Sequence, residues 1–246
     1  MDYQLYLEVR SEVMLIEQAI FTSLRGRRSQ GYHLVAQSPA VDSEISGVLC
    51  KWGPSHSSLL CGSPLSESVN FSAISSDWFA LSRTTHGGPE YSGRGGLQVF
   101  TRFLLLQSHQ LAAFENNPLA LIQTARILGH MRLHLAPPAQ LDPIEIPDHP
   151  LDTHPHRAGN AGVPIDEVVR ILQFKNRVAI LGLENPYPTL ANILQLVPKP
   201  ERLRLSFTTG LKPSVHRDFR LHFLRNADPA VHAHLASQGI DLVTAM

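Results

Sequence analysis

Charge is scarce in this chain. Asp, Glu, Lys and Arg make up only 17% of its 246 residues, and 21 cationic side chains balance 21 anionic ones. A balance of zero removes the simplest route to nucleic-acid binding, a basic face that displaces counterions from phosphates. The same scarcity, beside 43% hydrophobic residues, excludes a disordered chain, which needs high charge and low hydrophobicity. It favours a protein that covers part of its surface against a partner. Cysteine is nearly missing too. Cys50 and Cys61 are too few for a disulfide framework and do not form a Cys-x-x-Cys pair, so they read as buried structural thiols in a reducing compartment. No apolar run reaches the length of a membrane span. The first residues, Met1 to Glu8, lack the basic-then-apolar pattern of a signal peptide. A soluble, cytoplasmic protein without membrane insertion is expected. Histidine is the exception to this scarcity: thirteen of them turn the net charge positive below about pH 6.5.

The length fits one large domain or two small ones, and the pattern divides in two. Residues 14–24 and 32–37 read as a strand and its return across a basic turn at 25–30. Asp42 then caps a helix with Ile45, Val48 and Leu49 at helical spacing, ending near Gly53-Pro54. Residues 68–74 and 77–83 read as a second hairpin. Residues 97–106 are apolar enough for a strand buried on both faces. Asn117-Pro118 opens a helix, with proline where its missing N–H does no harm. Seven prolines between 136 and 164 predict a long connecting loop. Beyond it the order is α-β-α-β-β-α: helices from Pro164 and Pro188, a strand at 178–183, alternating strands around 203–207 and 219–223 joined by a turn at 210–216, and a last helix capped at Asp228-Pro229 and stopped at Gly239. The expected class is α+β. A mostly antiparallel unit at 1–135 is followed by a Pro/His-rich linker at 136–163 and a smaller α/β unit at 164–246.

The most unusual local feature runs from Arg83 to Gly96: Arg-Thr-Thr-His-Gly-Gly-Pro-Glu-Tyr-Ser-Gly-Arg-Gly-Gly. Five glycines from His86 to Gly96 allow positive φ and let backbone N–H groups approach an anion. Arg83 and Arg94 can add bidentate contacts to a phosphate or carboxylate. A ligand site built from Arg83, His86, Gly87, Gly88, Glu90, Tyr91, Gly93 and Arg94 is one reading. The other is an irregular connection in which Glu90 pairs with an arginine. The segment is neither a P-loop nor a dinucleotide fingerprint, because it lacks Gly-Lys-Ser/Thr and precedes a strand. Cys50 stands near His56, which raises a Cys-dependent hydrolase or transferase, but sequence nearness supplies no third group and no oxyanion hole. Asp148, His149, Asp152, His154 and His156 have ligand chemistry without a recognised metal spacing. No Gly-x-Ser-x-Gly elbow is present. No cofactor, metal or catalytic residue is assigned.

Three stretches carry a resemblance: Gln18 to Ser23 with Gly31 to Pro39, Leu81 to Leu97, and Arg177 to Gly182 with Arg204 to Leu211. They resemble the N-terminal domain, type 2-like, of bacterial GTPase-associated proteins, over nearly the whole chain. The resemblance implies a non-catalytic interaction or adaptor domain. Its partner would be a small GTPase or an effector module in a bacterial signalling or conflict system. The element order is also analogous to the longin-plus-DENN arrangement of eukaryotic GTPase regulators. The alternatives are an anion- or nucleotide-sensing domain using residues 83–96, and the Cys50 enzyme.

Overall fold

The first apolar run forms β1 (Val13–Ser23) and returns as β2 (Tyr32–Gln37), antiparallel, with Ala19 opposite Gln37 and Ser23 opposite Tyr32. The computed structural model describes residues 12–24, 31–56, 58–60, 66–90, 96–134, 136–151, 162–174, 176–225 and 229–245; the basic turn at 25–30 and Asp228 lie outside them. Asp42 caps α1 (Ser43–Trp52) as its residue type predicts, its Oδ1 accepting from the Ile45 N–H at 2.8 Å. β3 (Glu67–Ala73), β4 (Trp78–Pro89) and β5 (Leu97–Gln107) follow as an antiparallel meander. Val99, Phe103 and Leu105 of β5 are buried on one face, and Phe100, Leu104 and Leu106 on the other. A short helix absent from the sequence reading, α2 (Ser108–Ala113), leads to α3 (Pro118–Ile127), where Asn117 Oδ1 accepts from the N–H groups of Leu119 and Ala120.

The expected loop at 136–163 contains a strand. β6 (Ile144–Pro147) pairs antiparallel with the start of β1, Ile16 opposite Ile144 and Val13 opposite Pro147. Pro143 and Pro147 bracket it, and β6 pairs only with β1, so no ladder hydrogen bond is lost to proline. The last third begins as expected with α4 (Ile165–Gln173), β7 (Arg177–Leu181) and α5 (Tyr187–Leu196). Then it departs. Leu203, Leu205 and Phe207 alternate like a strand, yet Lys199–Arg204 winds as a 3₁₀ helix behind Pro198, and only β8 (Phe207–Thr208) is extended. Apolar residues two apart over so short a run do not distinguish the two. β9 (Leu221–Leu224) lies parallel to β8. α6 (Pro229–Ser237) ends at Gly239, whose φ is +66°, and a strand the pattern did not reveal, β10 (Ile240–Thr244), closes the chain.

The ten described strands share one sheet, in the order β10-β7-β9-β8-β3-β4-β5-β1-β2, with β6 also on β1. β10, β7, β9 and β8 are parallel to one another, and the strands from β3 onward are antiparallel. The direction changes at β8, which is only two residues long. Phe207 faces Phe71 of β3 and Thr208 faces Asn70. One apolar core lies along the face covered by α2 to α5 and draws on both halves, with Phe71, Leu104 and Ile146 beside Val178, Ile193 and Phe207. On the opposite face α1 packs on Phe21, Phe103 and Leu105, and α6 sets Leu235 against Leu181 and Leu224. Between those two patches the buried surface is polar. Asn70 Oδ1 accepts from Thr208 Oγ1 at 2.6 Å and Ser68 Oγ at 2.7 Å, and its Nδ2 donates to Ser82 Oγ at 3.1 Å. A buried amide so fully satisfied fixes the register of the join. Among the described residues no helix is long and apolar enough to cross a membrane.

His222 of β9 tests this packing. It is 2% exposed, and its Nε2 donates to the Phe219 carbonyl at 3.1 Å. Burial pushes its imidazole down to about 4; the Phe219 carbonyl and Asp218 oppose the shift, and Arg177 and Arg217 add to it. The unfolded chain takes up a proton near pH 6.5 that the folded chain refuses until about pH 4. Stability from this group is therefore complete above pH 6.5 and is lost as pH falls toward 4, by roughly 3 kcal/mol in all. His222→Gln keeps the donor and removes the titration. Urea denaturation at pH 7.5 and 4.5 will show a smaller acid loss in the variant than in the parent; equal losses contradict the assignment.

Candidate functional site

Of the residues singled out between 83 and 96, Arg83, His86, Gly87, Gly88 and Glu90 are described, and they are spread along one strand and its end, over both of its faces. His86 to Pro89, expected in a loop, belong to β4, because pairing with β5 continues past them: His86 faces Val99 and Pro89 faces Leu97. One extra residue on β4 is absorbed as a bulge, with Gly88 at φ +107°. The Glu90 N–H donates to the Gly96 carbonyl at 2.9 Å, closing the hairpin. Arg83 lies on the face of the sheet covered by α3, and His86, three residues on, lies on the other. Glu90 is about 20 Å further along than Arg83, so these two do not meet. Its carboxylate instead adds to the effect of burial in raising the Tyr32 phenol. Tyr91, Gly93 and Arg94 lie outside the described residues.

Arg83 leads to a cluster that no motif announced. It stands opposite Arg102 in the ladder, a like-charge pair that needs a counter-ion nearby. Glu67, at the start of β3, supplies one. Arg83 Nε donates to Glu67 Oε2 at 2.9 Å, Arg126 Nη2 of α3 to Oε1 at 2.7 Å, and the Tyr187 hydroxyl of α5 to the same Oε1 at 2.9 Å. Arg126 also donates to Tyr187 Oη at 3.1 Å, its guanidinium 5.3 Å from the ring centroid. Arg83 Nη1 donates to the Met131 carbonyl. Burial alone would raise the Glu67 carboxyl, but Arg126, Tyr187 and Arg83 outweigh it and hold it below its usual range. Burial likewise opposes Arg126, yet Tyr187 and Glu67 raise its guanidinium, while burial raises the Tyr187 phenol. All three groups are fixed in their ordinary neutral-pH charge states. They form a rigid polar wall and hold no proton poised for transfer.

That wall borders a cleft of about 610 Å³. It opens at the carboxyl ends of β7, β9 and β8, where open α/β sheets place their ligands. Glu184, Asn185 and Pro186 enter from the β7–α5 connection, Arg225 from the end of β9, and Thr209 and Gly210 from the end of β8, with Leu183 and Phe223 as apolar lining. Asn185 Oδ1 accepts from the Tyr187 N–H at 3.1 Å, and Arg225 Nη2 donates to the Glu184 carbonyl at 3.2 Å. Gly210 is required by contact: a Cβ there would sit 2.7 Å from the Glu67 carbonyl oxygen. Sequence reasoning missed Glu67, Tyr187 and Arg225. The available signal was positional, because the Glu-Asn-Pro-Tyr-Pro run sits between a strand and the start of a helix.

The remaining candidates are scattered. Cys50, expected to be a buried thiol, is exposed on α1 and lies in a different cleft, with Ser55, Ser58 and His216 rather than His56 around it. His149 and Asp148 hydrogen-bond each other at 3.1 Å, and Asp152, His154 and His156 lie outside the described residues. Among the described residues no group of three or more His, Cys, Asp or Glu could hold a metal ion.

A family model described as GTPase-associated protein 1, N-terminal domain type 2, matches residues 15–147. The match runs from within β1 to the end of β6. It is narrower than expected: the stretches at 177–182 and 204–211 lie beyond it. No curated protein and no solved structure matches the chain.

The Glu67 cluster carries a prediction. Its groups are partly exposed, so each single change is modest, but they share one carboxylate, Arg126 and Tyr187 on the same oxygen, and are coupled. In a double-mutant cycle of Glu67→Gln and Tyr187→Phe, urea denaturation at pH 7 will give a coupling of about 0.5–2 kcal/mol. Simple additivity removes Tyr187 from the cluster.

Proposed function

This chain belongs to the family of GTPase-associated protein 1 N-terminal domains, type 2, and on that premise we propose that it is a non-catalytic interaction domain whose partner is a small GTPase or an effector module of a bacterial signalling or conflict system. Family membership carries the reading. The cleft beside Glu67 supports binding over chemistry, because its carboxylate, guanidinium and phenol are paired with one another. Arg225, the Glu184 carboxylate and the exposed edge of the β7–α5 connection remain as recognition groups. The scarcity of charge fits a surface that a partner covers. Residues 83–96 as an anion sensor are less favoured: Arg83 would have to exchange Glu67 for the ligand. A Cys50 enzyme lacks a described orienting group.

The tagged chain, expressed in its native cells and recovered with quantitative mass spectrometry, tests the proposal. A GTPase, or a protein encoded beside this chain, will be enriched at least tenfold over an unrelated bait. Arg225→Glu, a surface change, will lower that enrichment several-fold with the melting temperature unchanged. Enrichment of no GTPase or neighbouring product overturns the partner reading; enrichment indifferent to Arg225→Glu overturns the choice of cleft.

A further inference from the structure

A second depression, about 580 Å³, lies between the end of α1 and the turn at 212–217. An isolated antiparallel bridge between Leu59 and Leu211 holds its walls together, the Lys212 N–H donating to the Ser58 carbonyl at 2.8 Å and the Leu60 N–H to the Gly210 carbonyl at 3.0 Å. Its lining is one-sided in charge. Lys51, Lys212, His216 and Arg217 line it together with the hydroxyls of Ser55 and Ser214, and among the described residues no carboxylate does. The negative end of α1 accounts for Lys51, but not for three basic side chains from another segment.

Arg217 is the informative member. It is 9% exposed, its Nε is buried without an acceptor among the described residues, and its Nη2 reaches only the Lys212 carbonyl, at 3.4 Å. The adjacent Asp218 is engaged elsewhere, accepting from Arg177 Nη1 at 2.8 Å. Burial draws the Arg217 guanidinium below its ordinary value, and no carboxylate offsets it. Folded proteins seldom bury a cation without a counter-ion. Here the described residues supply none and bring further cations to the same place.

We infer that this cleft is a binding site for the phosphate group of a small phosphorylated molecule, which supplies the missing counter-charge. A guanidinium fork, two ammonium groups, an imidazole and two hydroxyls suit a multiply charged tetrahedral anion better than a planar carboxylate. The volume exceeds what one phosphate fills, leaving room for the group it is attached to. This site is separate from the Glu67 cleft and does not depend on the partner proposed for it.

Isothermal titration of the full chain with pyrophosphate, at fixed ionic strength, tests the inference. Saturable binding in the micromolar to low-millimolar range is expected, together with a raised melting temperature. Lys51 and Lys212 are both exposed, so Lys51→Ala/Lys212→Ala will fold normally and bind at least tenfold more weakly; Arg217→Met extends the loss if it folds. Orthophosphate and GDP are parallel arms. GDP binding more tightly than orthophosphate supports a nucleotide-sized ligand, and equal binding supports a site for the phosphate alone. No binding beyond that of chloride, citrate binding as tightly as pyrophosphate, or wild-type affinity in the double variant each overturns the assignment.

Discussion

The sheet changes direction across two residues, and the rest of the molecule follows from that join. Phe207 and Thr208 must satisfy a parallel neighbour in β9 and an antiparallel one in β3. Backbone pairing over so short a strand is weak. The side chains reinforce it from both faces, Phe207 against Phe71 within the apolar core and Thr208 against the Asn70 amide within the polar layer. Near the end of this join Glu67 ties β3 to β4, α3 and α5. The large cleft lies where it does because strands that point the same way end together there and the antiparallel strands do not.

Much of the architecture was legible because long periodic segments announce themselves. β1, β2, β5, α1, α3, α4 and α5 follow from apolar spacing plus a capping residue or a proline at a helix start. The misses share a cause. β6 and β10 run for four and five residues, too few to establish a period, and each is paired to a neighbouring strand. Such strands are tertiary facts and leave little local trace. Proline misled in the same way, since Pro143 and Pro147 are compatible with an edge strand once the edge is known.

The candidate sites were less legible than the fold. A run of glycines and arginines drew attention to 83–96 because unusual residues sat close in sequence. The clusters that formed instead combine ordinary residues from distant positions: Glu67 with Arg126 and Tyr187, Lys51 with Lys212 and Arg217. Neither has a spacing to detect. What separates the two is charge balance. In the first, both guanidinium groups and the phenol reach one carboxylate, so Arg126 has its counter-ion although its Nε is buried without an acceptor among the described residues. In the second, the described residues leave a buried guanidinium short of an acceptor. The first behaves as framework beside a cleft and the second as an open valence.

The bulge in β4 has a consequence for how this hairpin can be read or edited. Strand side chains follow a two-letter frame, inward then outward, and the extra residue between His86 and Pro89 acts on that frame as a single insertion does on a coding sequence. Pro89, just beyond it, stands on the same face as His86, where plain alternation would put it on the other. Counting outward from Arg83 therefore assigns Pro89 to the wrong side of the sheet. Removing one glycine would not merely shorten the strand: it would restore the frame and turn Pro89 over.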